Sequence, residues 1–379
     1  MTLAQQQFLE LLRSGLWGTR ANTELFKGEI NWKDILRISV EQAMQVIVAD
    51  GIETLPKEIW PPKEMLMKLM MVRIKTEQLH NLLNSTLKQI VNALNAENIP
   101  SVLLKGQGVA QNYRKPTSRM CGDIDLYTGI DNYERSCEII EKLNTGHTHK
   151  PGEECDHHMH LSLNGVEVEV HRLAGTMPSD KLNKHFQAWT HESIDAHFNT
   201  ENLNHWDIDG TSVHLASPTF DAFFILYHAV RHMTTEGVGL RQICDWAMYL
   251  HIHHASIDLE KLKQKLKDFH MEAIWEEFGR LAVAILGLPK EELPLAPANL
   301  KITGKTQKLL HHIFISGNFG RYDANGRDYS DTTYIKRKWR SFRFQSMRLI
   351  KLFNLFPRYT SNYMIGWFSG AISRFIGGR

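Results

Sequence analysis

The sequence lacks the cysteine pairs, long hydrophobic runs and signal peptide that are typical of secreted and membrane-spanning proteins. Its 379 residues include only four cysteines, Cys121, Cys137, Cys155 and Cys244, and no two of them form a close pair. We therefore expect no disulfide framework or zinc ribbon, and a reducing cytosol is the simplest compartment. No hydrophobic run approaches the ~20 residues that span a bilayer. Residues 1–12 lack the basic start and apolar stretch of a signal peptide. These absences predict a cytoplasmic protein.

Acidic residues are missing from the end of the chain. Residues 332–379 contain no Asp or Glu but ten Lys or Arg, while the whole chain has a formal net charge of +2. By subtraction, residues 1–331 carry −8. Aromatic residues alternate with these cations, and their spacing predicts a helix over residues 336–356 that stops at Pro357.

Three interpretations of this basic, aromatic tail stay open. A basic amphipathic helix suits weak contact with an anionic membrane surface, which would make the protein membrane-peripheral. The same residues suit nucleic acid, through phosphate contacts and base stacking. The third interpretation is that the aromatic residues pack on a helical domain while the cations balance its acidic surface.

A pair of carboxylates is the most informative feature of the sequence. Asp123 and Asp125 flank Ile124 and precede Leu126. In an extended strand, alternate side chains point to the same face, so the two carboxylates project together while the apolar residues enter a core. Such a pair repels itself unless a divalent cation lies between the two groups, and Mg²⁺ prefers carboxylate and phosphate oxygens. Removal of one charge is accordingly expected to leave stability equal or higher.

A glycine turn precedes the carboxylate pair. The apolar run 101–104 predicts a buried strand, Lys105 and Gly106 follow it, and residues 109–113 have helical spacing. A strand, a glycine turn and a helix start place backbone N–H groups where a phosphate docks. Lys105 adds a point charge to such a site, and Arg119 adds a bidentate clamp.

Two alternating segments later in the chain predict a β-hairpin. Asn164-Gly165 lies between them, and this dipeptide is the strongest short signal for a type I′ turn. The resulting register pairs His160 with Glu169 and His158 with His171. One face of the hairpin is apolar and must be the core: Leu161, Leu163, Val166, Val168 and Val170. The other face is polar: His158, His160, Glu167, Glu169 and His171.

These motifs together carry a resemblance to a known family. Leu104-Lys105-Gly106, Tyr113, Arg119 and Asp123-Ile124-Asp125-Leu126 resemble the DNA polymerase beta-like nucleotidyltransferase superfamily. More closely, they are similar to a group of bacterial nucleotidyltransferase-like proteins with a Lys-Gly motif. The resemblance covers residues 99–251, and residues 237–246 resemble the helical half of the same group.

The resemblance implies transfer of a nucleoside monophosphate from an NTP to an unidentified acceptor by a two-metal mechanism. The resembling group has a third carboxylate two residues before a histidine, and in this sequence the resemblance implies that this residue is Glu169. Asp123, Asp125 and Glu169 would then be the catalytic metal ligands for two Mg²⁺ ions, with Mn²⁺ as a substitute. The implied substrate-binding residues are Lys105, Gly106, Gln107, Arg119, His160, His171 and Arg241.

Two functions from other classes stay open. One is a metal-dependent phosphohydrolase that uses the histidines and Glu169 of the hairpin to hold an ion such as Mn²⁺. The other is a catalytically silent binding protein, which is favoured by Gly106-Gln107 in place of the usual Gly-Ser or Gly-Gly pair. His228 and His232 stand four residues apart on a predicted helix and form a further potential metal-binding pair.

The predicted fold class is α+β, with a small mixed nucleotidyltransferase sheet flanked by N-terminal and C-terminal helical segments. Helical spacing predicts one helix over residues 40–48 and a long one over residues 64–94, whose apolar stripe and methionines are expected to be core. The predicted domains are a helical region, the nucleotidyltransferase core, a helical domain, and a loop with the basic tail: residues 1–98, 99–215, 216–320 and 321–379.

Overall fold

The structure is a computed structural model, and its description omits four short parts of the chain. Cys155 lies in those parts. So do residues 146–152, whose composition predicts a turn-rich connection, and most of residues 318–333, whose composition predicts a loop. The described residues are 1–144, 158–198, 203–322 and 333–376.

The protein is α+β, as predicted from the sequence. Most of the described elements are helices, and the described strands form one mixed sheet. The helices are α1 Leu3–Trp17, α2 Trp32–Glu41, α3 Gln45–Ile52, α4 Lys63–Ala96, α5 Gln107–Ala110, α6 Gly129–Leu143, α7 Asp180–Ser193, α8 Pro218–Thr235, α9 Leu240–His253, α10 Leu259–Asp268, α11 Glu272–Ala284, α12 Gly304–Ser316, α13 Tyr334–Leu355 and α14 Pro357–Ile376. The strands are β1 Val102–Leu103, β2 Asp123–Tyr127, β3 His158–Leu163, β4 Val166–His171, β5 Asn204–Ile208 and β6 Thr211–Leu215.

The chain divides into two compact units. The sheet unit comprises Met70–Asp221, and the helical unit combines Met1–Leu69 with Ala222–Arg379. Both boundaries fall inside helices, one within α4 and the other near the start of α8. The four-part domain division made from the sequence stays a prediction.

The sheet has the strand order β3-β4-β2-β1-β6-β5. Two antiparallel hairpins, β3–β4 and β5–β6, lie at its ends, and the turn between β3 and β4 is Asn164-Gly165, with φ values of 54° and 78°. At the centre, β2 pairs antiparallel with β1 and parallel with β4, and β1 pairs parallel with β6. The parallel β2–β4 pair is the feature that builds the candidate site.

One face of the sheet is covered by the second half of α4 and by α6. Ile124 and Leu126 of β2 are fully buried, as the alternation in the sequence predicts. They belong to a core that α4 and α6 complete with the following buried residues: Leu83, Leu87, Ile90, Val91, Leu94, Tyr133, Cys137, Ile139 and Ile140. The opposite face of β2 and β4 is left for polar side chains.

The apolar stripe of α4 is core only in its second half. The prediction of a long helix is confirmed, but Met70 and Ile74 are exposed, at 63% and 42%, and Leu82 is 38% exposed. The expectation that the methionines fill gaps in a core is wrong for the exposed residues Met67, Met70 and Met71. The core of the sheet reaches only the second half of the helix, so periodicity alone overstates the buried stripe.

In the helical unit, the predicted helix over residues 40–48 is wrong. Helix α2 ends at Glu41 and α3 begins at Gln45. Between them Ala43 has a φ of 53°, which belongs to the left-handed region and ends a right-handed helix. The apolar residues on either side therefore belong to two short helices.

The tail forms two helices where the sequence predicted one. Helix α13 ends at Leu355, which confirms the stop before Pro357, but that proline then occupies the first position of α14. Proline is favoured there because the first helical N–H has no partner within the helix. None of the helices in the described ranges combines the length and the hydrophobicity needed to cross a membrane.

Candidate metal and nucleotide site

The candidate site lies on the polar face of β2 and β4. Their parallel register places Asp123 beside Glu167 and Asp125 beside Glu169. Paired residues point to the same face, so the carboxylates of the two strands converge. Asp123, Asp125 and Glu169 each offer one oxygen within 4.8 Å of the others. This confirms the prediction that Glu169 shares the face of the aspartate pair.

The β3–β4 hairpin adds histidines to that face. Its register pairs His160 with Glu169 and His158 with His171, which is the register predicted from Asn164-Gly165. His171 Nε2 lies 3.3 Å from Glu169 Oε2, and His158 Nε2 lies 3.8 Å from the same oxygen. The carboxylate of Glu169 therefore lies close to both histidines on the face that it shares with the aspartate pair.

Asp125 is the most deeply buried carboxylate of the site. Its side chain is only 2% exposed, and its Oδ1 lies 2.8 Å from Lys105 Nζ and 3.1 Å from His171 Nε2. Burial alone disfavours the charged carboxylate, but the ammonium of Lys105 and the hydrogen bond from His171 outweigh it and hold the pKa of Asp125 well below its usual range. The ammonium of Lys105 and the imidazole of His171 thus both stabilise the negative charge of Asp125.

The same contacts change the pKa of His171. Burial lowers the pKa of a histidine, yet hydrogen bonds to Asp125 and Glu169 outweigh burial here and raise the pKa of His171. Its Nε2–H donates to Asp125, so the imidazole fixes the orientation of that carboxylate.

Lys105 reaches Asp125 because of the glycine turn after β1. Gly106 has φ 56° and ψ −116°, a backbone conformation that side chains rarely adopt. An added Cβ would also stand only 3.2 Å from the carbonyl oxygen of Asp123. Leu104 N–H donates to the carbonyl of Asp125, which ties the turn to β2. Glycine at position 106 is required by both constraints.

The strand and the helix around this turn are shorter than predicted. The strand β1 has two residues instead of the four at 101–104, and the helix predicted at 109–113 is the single turn Gln107–Ala110. The helix start that was expected to bind phosphate is therefore only one helical turn long. The charges of the site come from side chains instead.

Gln107 points into the protein. Its side chain is fully buried, and its Nε2 donates to His80 Nδ1 and Asn84 Oδ1 of α4, at 3.1 and 2.7 Å. His80 in turn donates from Nε2 to the carbonyl of Arg119, at 2.6 Å. Burial lowers the pKa of His80, which favours the neutral form with the proton on Nε2. The helix α4 thus anchors both the glycine turn and the segment that carries Arg119.

Sequence reasoning missed His80 and Asn84. The available signal was a histidine and an asparagine four residues apart within an apolar helical stripe. Polar residues in such a position need buried partners. The partners themselves, Gln107 and the carbonyl of Arg119, lie far along the chain and are not visible from local spacing.

Arg119 is buried, with 6% of its surface exposed, and its guanidinium donates to Cys121 Sγ. Arg241, the other predicted arginine, belongs to the helical unit, where its guanidinium lies 5.3 Å from the ring centre of Phe319. The roles predicted for both residues stay predictions.

The predicted metal-binding pair on α8 is also in the helical unit. His228 Nε2 and His232 Nε2 lie 2.8 Å apart, and His232 Nδ1 lies 3.5 Å from Glu236. In the part of the chain that the structure describes, every group of three potential metal ligands lies on the sheet, and none includes this pair.

Comparison with known proteins identifies the family but supplies no described relative. A family model described as uncharacterised nucleotidyltransferase matches residues 28–287. The match is wider than the residues 99–251 over which the sequence resemblance was drawn, and it covers more than half of the chain. No curated protein and no solved structure matches significantly. The chain belongs to the uncharacterised nucleotidyltransferase family.

Proposed function

We propose that the protein transfers a nucleoside monophosphate from an NTP to an acceptor with the help of two Mg²⁺ ions. The observation that carries this proposal is the parallel pairing of β2 with β4, which gathers the oxygens of Asp123, Asp125 and Glu169 within 4.8 Å. The family and the resemblance to the DNA polymerase beta-like superfamily and its bacterial members support the same reaction.

The donor set fits the proposed ions. The three carboxylates offer only oxygen ligands, which is the chemistry that Mg²⁺ prefers and that Mn²⁺ accepts. When bound, such ions neutralise the phosphate charge and activate the acceptor hydroxyl.

The chain's own residues then have separate tasks. The acceptor oxygen forms a bond to the α-phosphorus, the bond from that phosphorus to the β-phosphate oxygen breaks, and pyrophosphate leaves. Glu169, whose side chain is more exposed than that of the buried Asp125, takes the proton of the acceptor hydroxyl. Lys105, which pairs with Asp125, would supply its ammonium charge to the triphosphate of the bound NTP.

The surrounding residues position this set. His171 orients Asp125 and Glu169, and the partly exposed His160 is proposed to contact the acceptor. Gly106 and Gln107 hold the turn that presents Lys105, and Gln107 does so through α4. Arg119 is proposed as a phosphate contact, and the phosphate contact expected for Arg241 stays a prediction.

The acceptor is a hydroxyl or similar nucleophile on a sugar, a small molecule, a protein side chain or an RNA end. Incubating the protein with labelled NTPs and cell extract, followed by mass spectrometry of the labelled product, identifies both the base and the acceptor. Release of inorganic phosphate from phosphate esters without label transfer would instead indicate a phosphohydrolase. Lack of any Mg²⁺-dependent thermal shift with NTPs would indicate a silent fold.

Replacing Glu169 with Gln should lower Mg²⁺-dependent pyrophosphate release by about 10²-fold or more, because the site loses an oxygen charge that faces the reacting groups. The matched control is Glu167→Gln, on the same strand and face but with 58% of its side chain exposed. The control should retain turnover within about threefold, as exposed substitutions usually do. Equal losses in the two variants would contradict the assignment of Glu169.

A further inference from the structure

The histidine side of the site has a donor set of its own. We propose that His158, Glu169 and His171 bind a transition-metal ion of the Zn²⁺ type. Two imidazoles and one carboxylate are a set that zinc accepts, with a fourth position left for water or a ligand. Imidazole nitrogens suit Zn²⁺ and are poor ligands for Mg²⁺. The zinc set shares Glu169 with the three carboxylates, but it differs from them in offering two imidazole nitrogens.

The distances fit an ion of this size. Ligands at about 2.0–2.1 Å from a tetrahedral zinc lie roughly 3.3 Å from one another. His171 Nε2 and Glu169 Oε2 are 3.3 Å apart, and His158 Nε2 and Glu169 Oε2 are 3.8 Å apart. All three ligand atoms lie within 4.8 Å of one another. Binding through His171 Nε2 would displace the proton that this nitrogen donates to Asp125, at 3.1 Å, and small side-chain rotations would bring the three ligand atoms to zinc-binding separations.

The backbone holds the three ligands in place. His158 and His171 face each other across the β3–β4 hairpin, and their ring centres are 4.9 Å apart. Both residues are buried, at 8% and 4% exposure, so their rings have little freedom to turn away. His160 Nε2 lies 2.9 Å from His158 Nε2 and offers a further imidazole at the rim. A site on paired strands is more rigid than one on loops.

Calorimetric titration of the metal-free full chain with Zn²⁺ tests this site. We expect about one tightly bound ion per chain. We expect His158→Ala to weaken binding at least about tenfold, since loss of even an outer partner of a metal site costs that much. Asp123→Asn should keep the zinc affinity, because Asp123 belongs only to the carboxylate set. Visible absorption of Co²⁺ in place of zinc reports nitrogen ligation independently of any activity.

Controls separate this site from other histidines and from unfolding. His232→Ala removes the pair on α8 and should leave the tight site unchanged. His158→Gln and thermal melts check that lost binding does not reflect lost structure. The proposal is overturned if the wild-type chain binds no zinc, if folded His158 variants bind it equally well, or if Asp123→Asn loses it. The zinc site does not depend on nucleotidyl transfer, so either proposal can fail alone.

An independent observation concerns α13 and α14, which pack against each other. The inner side of this helix pair is buried in the helical unit, and Gln345 Nε2 donates to the carbonyl of Thr234 on α8, at 2.7 Å. Its buried apolar residues are Leu349, Leu352, Leu355, Phe356 and Tyr359. The interpretation that the tail packs on a helical domain is thus supported for these residues.

The outer side of the pair is apolar as well, but exposed. Phe342 stacks between Trp339 of α13 and Trp367 of α14, with ring centres 5.9 and 5.3 Å away. Large apolar side chains with at least 40% exposure follow both helices: Trp339, Phe342, Met347, Ile350, Phe353, Ile365 and Phe368. We name these seven residues and Trp367 the outer apolar face.

Cations border this face. The exposed ones with described side chains are Lys336, Arg340, Arg343, Lys351 and Arg358. Residues 332–379 themselves contain no Asp or Glu, so this segment has an excess of positive charge. An apolar helix face with aromatic residues and flanking Lys and Arg is the pattern of helices that lie in a membrane interface and bind anionic lipids.

We infer that the outer apolar face docks on an anionic lipid surface. Aliphatic residues such as Ile350 and Ile365 favour this partner over nucleic acid, because base stacking uses aromatic rings and phosphates use cations, while exposed aliphatic groups gain only from an apolar medium. The helices lie on the surface, since no described helix is able to span it.

Co-sedimentation of the full chain with vesicles tests the docking. We expect retention on phosphatidylserine-containing vesicles at low salt, little on pure phosphatidylcholine, and release at high salt. The triple variant Lys336→Glu, Arg340→Glu and Arg343→Glu should bind roughly 100-fold more weakly, given the contribution of each cation near an anionic surface. The double variant Trp339→Ser and Phe342→Ser should also lose retention.

The matched control makes the same charge change elsewhere on the helical unit: Lys57→Glu, Lys63→Glu and Lys68→Glu, all exposed. It should retain vesicle binding. Point variants are used because truncation would remove buried residues such as Leu349 and Leu352. The inference is overturned if the full chain ignores anionic vesicles, if control and tail variants weaken equally, or if only RNA is retained in a gel shift.

Discussion

Replacing Asp125 with Asn is expected to abolish nucleotidyl transfer and also to destabilise the fold. The activity loss of about 10²-fold or more follows from removing a preorganised charge at the reacting phosphate. The stability loss follows from burial, because Asp125 is the shared partner of Lys105 and His171. Leaving the Lys105 ammonium and the His171 imidazole without their buried carboxylate partner should lower the free energy of unfolding by about 2–4 kcal/mol. Urea unfolding and pyrophosphate release measure the two effects.

The matched variant is Asp123→Asn. It should lose activity similarly, because it removes another of the three carboxylates, but its free energy of unfolding should change by less than about 1 kcal/mol. Asp123 is partly exposed, whereas Asp125 is buried. The sequence alone led to the expectation that either variant would be equally or more stable, since only mutual repulsion was visible. A stable, active Asp125→Asn protein would contradict the proposed site.

Replacing Gly106 with Ala should have the second largest effect. The backbone at φ 56° and ψ −116° is strained for any L side chain, and the new Cβ would crowd the carbonyl of Asp123. We expect a loss of about 1–3 kcal/mol in the free energy of unfolding. Because the turn carries Lys105, any relaxation moves its ammonium, and KM for the NTP should rise about tenfold or more.

The control for this variant is Gly122→Ala. An added Cβ at that position meets no atom within 4 Å, and its φ is outside the left-handed region. Alanine there should leave the free energy of unfolding unchanged or raise it by up to about 1 kcal/mol, because alanine lowers the conformational entropy of the unfolded chain. If Gly106→Ala melts with the wild type and keeps its KM, the turn does not position Lys105.

The sequence by itself determined the local parts of this protein. The turn Asn164-Gly165, with alternating apolar and polar residues on both sides, determined the hairpin register. This register places His160 opposite Glu169. The Asp-Ile-Asp-Leu segment set which side chains enter the core. The helical spacing of apolar residues over residues 64–94 predicted both ends of α4 to within a few residues. Each of these follows from period-two or helical alternation and from turn chemistry, which act between residues close in the chain.

Only the tertiary structure decided how those parts meet. The parallel pairing of β2 with β4 joins residues more than forty positions apart, and no local pattern specifies it. The same holds for Lys105 and His171 around Asp125, for Gln107 turning to His80, and for the exposure of Met70 and Ile74. These outcomes depend on which surfaces are buried together. Burial and the pairing of buried charges are properties of the assembled core, so they become visible only when the whole chain is folded.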